Sequence, residues 1–141
     1  MEFFVLEPEV AGGWGKNTEA DTSVYPPRVF KLHYEFSGWL GDCIIESFPC
    51  FLVTADASQA ISEAHLSGYE FVNVEVSQSN EFDEFHPGYE LPTWRWLEPT
   101  GTPGKDDFAV TNKVVLVVSN RALNILKEHG LEHCNVSRYK D

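Results

Sequence analysis

Long apolar runs are missing from this chain. No segment approaches the roughly 18 consecutive apolar residues that a membrane span needs, so no membrane-spanning helix is expected. Basic residues are scarce. Ten Lys and Arg stand against 22 Asp and Glu, a formal net charge of -12. Nucleic acid or an anionic membrane surface would repel such a chain at long range, and no Lys/Arg patch is dense enough to overcome that. A basic protein partner would be attracted and its encounter accelerated. Cysteine is sparse too: Cys43, Cys50 and Cys134 make an odd number without a motif in their spacing. The N-terminus, Met1 to Pro8, lacks the basic start, apolar stretch and small-residue cleavage site of a signal peptide. Reduced, partly buried thiols and a cytoplasmic location are the expectation.

Complete catalytic and metal-binding motifs are equally lacking. There is no GxSxG elbow and no HExxH helix. Gly12-Gly13-Trp14-Gly15-Lys16 resembles a phosphate loop but has neither the spacing nor the Ser/Thr ending of GxxxxGK[ST]. Among the five histidines, His129 and His133 stand four apart, yet Gly130 is expected to end a helix between them and spoil a shared ligand face. No CxxC pair exists. Acidic residues such as Asp83, Glu84 and Glu90 are too numerous for any one to be singled out as a proton donor. No catalytic residue, no metal and no cofactor is expected. A Cys–His pairing of Cys134 with His133 or His33 stays open as an alternative.

What is present describes a folded domain. Hydrophobic residues at 43%, with 13% aromatic, are enough for a core, and 141 residues fit one domain, taken as 1–141. An opening strand is followed by Ala11–Pro27, rich in Gly, Asn, Asp, Ser and Pro and read as a long surface loop. Val29–Phe36 alternates as a half-buried strand does.

The most informative feature is an internal repeat. VTADASQAISEAHLSGYEF, from Val53, aligns without a gap on VSNRALNILKEHGLEHCNV, from Val118. Val53 matches Val118, Thr54 matches Ser119, Ala57 matches Ala122 and Ile61 matches Leu126. Apolar runs Cys50–Val53 and Val114–Val118 suit strands. Thr54 and Ser119 then stand where helix N-caps belong. Ala57, Ala60, Ile61 and Ala64, like Ala122, Ile125, Leu126 and His129, recur at the spacing of one helical stripe. Gly68 and Gly130 are not in register, which predicts that the second helix stops sooner. The fold class expected is α+β: a mixed β-sheet with two helices from a repeated strand–helix–strand unit, both helices packed on a shared sheet.

Between the units, Ser77–Lys113 is acidic and threaded with aromatic rings. Prolines and glycines break it into loops around one predicted strand, Thr93–Glu98. Trp94 and Trp96 share a strand face, and at least one of them is expected in the core. Glu81, Phe82, Asp83, Glu84, Phe85, Tyr89 and Glu90 are the candidate partner-binding residues. Large rings give rigid contact area, and carboxylates beside them suit a partner rich in Lys and Arg. Phe82, Phe85, Tyr89 and the acids around them are therefore expected at the surface.

The opening FFVLEPEVAGG, the stretch KLHYEFSGWLG from Lys31 and the closing VVSNRALNILKEHGLEHCNV resemble a set of small bacterial proteins found beside polymorphic or contact-dependent toxins. Some members are immunity proteins that neutralise a cognate toxin. A related subset carries paired CxxC sites with zinc. This sequence lacks them, so no zinc is carried over, and the group has no catalytic residues to transfer. The resemblance implies a non-enzymatic immunity-type protein that binds a basic toxin domain, with a nuclease as the class considered. A small Cys/His enzyme and a self-associating protein are the alternatives, and oligomeric state is left open.

Overall fold

Thr54 and Ser119 begin helices in the way their hydroxyls favour. Each side-chain oxygen accepts the backbone N–H three residues on, from Ala57 at 3.2 Å and from Ala122 at 3.1 Å. These two helices belong to a computed structural model that describes residues 2–140. In chain order, β1 (Phe3–Glu7), β2 (Gly12–Trp14), β3 (Glu19–Asp21), β4 (Arg28–Lys31), β5 (His33–Phe36), β6 (Ile44–Ser47) and β7 (Cys50–Thr54) lead to α1 (Ala55–Glu63). Then come β8 (Tyr69–Val72), β9 (Glu75–Gln78), α2 (Asn80–Phe85) and β10 (Trp94–Pro99). β11 (Phe108–Val110), β12 (Leu116–Ser119), α3 (Asn120–His129) and β13 (Asn135–Arg138) follow.

The α+β class is as the sequence predicts, and both strand–helix–strand units are present. Their strands do not share one sheet, however. β7 and β8 lie in the order β6-β7-β10-β8, whereas β12 and β13 lie in β11-β12-β1-β13. Both of these sheets pair antiparallel throughout. Mixed pairing occurs in a third sheet, β2-β5-β9, where β5 runs parallel to β9. The helices meet each other, so each unit covers its helix stripe with the other unit's helix.

The sheet β6-β7-β10-β8 is buried on both faces. Along β7, Phe51 and Val53 enter one core with Leu97, Phe108, Ile61, Leu123 and Leu126. Cys50 and Leu52 enter a second core with Tyr34, Phe36, Phe82, Trp94 and Trp96. A strand covered on both sides has no solvent face to keep polar, which explains the unbroken apolar run Cys50–Val53. Both tryptophans of β10 are buried, on the shared face their spacing requires.

Four further expectations about the elements need correction. Ala11–Pro27 is not a featureless loop, because it contains β2 and β3. Gly12 serves there as a strand residue: a Cβ on it would run into the Glu35 carbonyl across the pair. Val29–Phe36 is two strands divided at Leu32. β4 pairs with β3 and leaves Phe30 60% exposed, while β5 turns Tyr34 and Phe36 fully inward. The second helix does not stop sooner, since α3 has ten residues and α1 nine. α1 ends instead at Ala64, ahead of His65 at φ 55, and Gly68 lies beyond it at φ +85, where a Cβ would meet the Phe108 carbonyl. Finally, the middle segment holds a short helix, α2, and a second strand, β11, besides the one predicted.

Candidate protein-binding surface

Ser79 sets α2 by accepting the Phe82 N–H at 3.1 Å. Phe82 is not at the surface as the sequence led us to expect. It is 1% exposed, packed in the second core with His86 and Tyr89 rings 5.0 and 6.1 Å away. A six-residue helix cannot bury a full stripe, so one large anchor fixes it and everything else faces out. Glu81, Asp83, Glu84 and Glu90 are exposed, Phe85 is 74% exposed and Tyr89 is 47% exposed.

The four exposed carboxylates form no ion pair among the described residues. One reason is visible in the chain: no Lys or Arg occurs between Lys31 and Arg95. Glu81 and Asp83, in the first turn, suit the positive end of the helix. Nothing basic stands at the last turn to do the same for Glu84 and the free carbonyls. The acidity of this face is left unbalanced locally.

Tyr89 is held from behind. Its ring lies 6.4 Å from Trp39, which stands 5.4 Å from Trp94, itself 5.3 Å from Phe36 in the core. The Trp39 indole N–H donates to the Asp42 carbonyl at 2.9 Å, fixing the middle of this row. Beside Tyr89 a groove of about 390 Å³ runs between Val76–Gln78 of β9 and Tyr89–Pro92. The Gln78 side chain crosses it and donates to the Tyr89 carbonyl at 3.3 Å. The arrangement offers a rigid ring, a recess and a cluster of carboxylates, which suits binding of cationic side chains.

The cysteines and histidines do not converge on a reactive centre. Burial pushes the Cys134 thiol up to about 11, and the carboxylates Asp42, Glu7 and Glu46 add to the effect against a hydrogen bond to the Glu7 backbone. Cys43 and Cys50 are buried and pushed up to about 12, with Asp42 and Glu98 respectively contributing after burial. All three are therefore thiols at neutral pH, opposite in sense to an activated nucleophile. His33 does contact a hydroxyl, Ser77 Oγ, at 2.7 Å from Nε2. Its Nδ1 accepts the Asn17 N–H at 3.2 Å, so the ring proton sits on Nε2 and is given to Ser77. That tautomer cannot take the Ser77 proton. His129 and His133 are parted by Gly130 at the end of α3, as the sequence predicts. No group of three or more His, Cys, Asp or Glu side chains among the described residues is placed to hold a metal ion. No described helix is long and apolar enough to cross a membrane.

The signal for α2 that sequence reasoning passed over is Ser79 followed by Glu81 and Asp83, a cap with acids in the first turn. Compared with protein-family models the chain matches none, and comparison with curated proteins likewise finds no match.

Proposed function

We propose that this protein is an immunity-type binding protein that neutralises a cognate basic toxin domain in the cytoplasm, a phosphate-binding nuclease being the class that fits best. The observation that supports it is the face of α2. Glu81, Asp83 and Glu84, with Glu90 nearby, carry unbalanced charge around the exposed rings of Phe85 and Tyr89, on a helix pinned by Phe82. Long-range attraction would steer a cationic domain to this face, and the rings would then anchor it. A site built to bind phosphates is basic, and carboxylates at comparable spacing can occupy it in their place. The protein would act by occlusion, without chemistry of its own. The alternative of a small enzyme working through Cys134 and His133 has less support, because the thiol is held protonated.

The test is binding to the product of a neighbouring toxin-like gene, followed by titration calorimetry and toxin activity. The expected result is a complex at micromolar concentration or tighter, an association rate that falls steeply with salt, and loss of both in a Glu81→Lys, Asp83→Lys, Glu84→Lys variant. Absence of any complex at low salt would overturn the reading.

A further inference from the structure

The hydrogen-bond phase of the sheet β11-β12-β1-β13 determines which way the outer strand points its free groups. Tyr139 N–H donates to the Phe3 carbonyl at 2.9 Å, and Asn120 N–H donates to the Glu2 carbonyl at 3.1 Å. Antiparallel ladders alternate, so β1 directs its odd-numbered residues to β13 and its even-numbered ones to β12. On β13 this turns Asn135 and Ser137 toward β1. The N–H and C=O of Val136 and Arg138 point away from the sheet.

This edge strand is short, but it lacks the other usual protections. It carries no proline, and its register against β1 is uninterrupted by a bulge. Its one cation, Arg138, is engaged with Glu2. Val136 stands opposite Leu6, on the same face, yet Leu6 is 1% exposed and Val136 39%. The first core therefore reaches its margin beside an apolar side chain that one further strand would cover.

We propose that this strand is supplied by a second copy of the chain, with β13 pairing antiparallel to itself about Val136. In that register the two outward-pointing Val136 residues exchange N–H···O=C bonds. The strand is also self-complementary in charge. Glu132 precedes it and Lys140 follows it, and neither is in an ion pair among the described residues. An antiparallel mate sets the Glu132 end of one chain against the Lys140 end of the other. A basic partner strand is disfavoured at the Lys140 end, where like charge would repel it. Four residues a side make a small interface, so the association is weak and reversible. Each copy carries -12, so screening of that repulsion strengthens pairing as salt rises toward the physiological range. Binding of a basic toxin through α2 responds to salt in the opposite sense, which separates this inference from the proposed function.

Sedimentation equilibrium of the full chain, from micromolar to millimolar concentration at physiological ionic strength, tests it. The expected mass rises from 15.9 kDa toward twice that value. Val136→Pro removes an N–H that β1 does not use, so it should abolish association and leave the circular dichroism unchanged. Lys140→Glu should weaken association about five- to ten-fold by placing like charges at both ends of the pair, and Glu132→Lys added to it should restore the loss. Should Val136→Pro disturb the fold, the charge exchange decides alone. A chain that stays monomeric throughout, or an association insensitive to the charge exchange, overturns the proposal.

Discussion

Ser119 Oγ donates to Asp107 Oδ1 at 2.5 Å and at the same time accepts the Ala122 N–H that opens α3. One hydroxyl thus caps the helix and fastens it to the segment before β11. Asp107 collects further bonds from the Ser67 N–H at 2.9 Å and from Arg121 at 3.0 Å. Burial would lift this carboxyl, but the hydrogen bonds from Arg121, Ser119 and Ser67, with the charge of Arg121, outweigh it and hold the carboxyl below its ordinary value. A depressed carboxyl contributes stability that is present above the unfolded value of about 3.9 and is lost as pH falls through the lower folded value. Asp107→Asn should therefore be less stable than the parent at pH 7, by about 1–3 kcal/mol, and the gap should narrow below about pH 4. Urea unfolding at a series of pH values checks this.

Phe82 and Phe85 occupy one short helix and have opposite surroundings. Phe82→Ala should cost about 3–5 kcal/mol, because it opens a cavity in the second core. Phe85→Ala should leave stability within about 0.5 kcal/mol and weaken partner binding instead. Denaturation and binding measured on both variants separate the anchor from the contact.

Glu46 is half-buried on β6, and burial, with Glu7 as a like-charged neighbour, raises its carboxyl above the ordinary range. A raised carboxyl has the reverse sign to Asp107: its contribution to stability is greatest below the unfolded value of about 4.3 and declines as pH rises through the folded one. Glu46→Gln, which keeps the shape without the charge, should stabilise the protein at pH 7 and match the parent near pH 4. Thermal unfolding at both pH values reads the difference.

Cys134 is the least buried of the three thiols. Held at about 11, it should react with a disulfide reagent at pH 7.5 more slowly than a free cysteine, with a rate still rising beyond pH 9. A rate that levels off below pH 7 would contradict the raised value and revive the enzymatic alternative.

The repeat was legible because each of its signals is local. An apolar run, a capping hydroxyl and a stripe at helical spacing are all short-range, and Thr54 and Ser119 act as their positions imply. The partition of strands among sheets was not legible. Whether β7 and β12 share a sheet is decided by which distant strand completes each ladder, β10 for one and β1 for the other. The Gly12–Trp14 strand was hidden for a related reason: glycine reads as a turn signal until the Glu35 carbonyl that excludes a side chain is in view. At the candidate surface, composition led to the expectation of exposed acids and rings, and Glu81, Asp83, Glu84, Phe85, Tyr89 and Glu90 are exposed. It could not say that Phe82 turns inward while Phe85 turns outward, because a six-residue helix gives no periodicity to read.

Phe51 and Leu52 are bonded neighbours that look in opposite directions, so the backbone between them is a party wall with a tenant on each side. Leu126, beneath α3, shares one core with Phe51, and Phe82 shares the other with Leu52, so a single strand backbone lines both seats. If the acidic face binds as proposed, its anchor Phe82 rests on a strand whose far side is covered by α3.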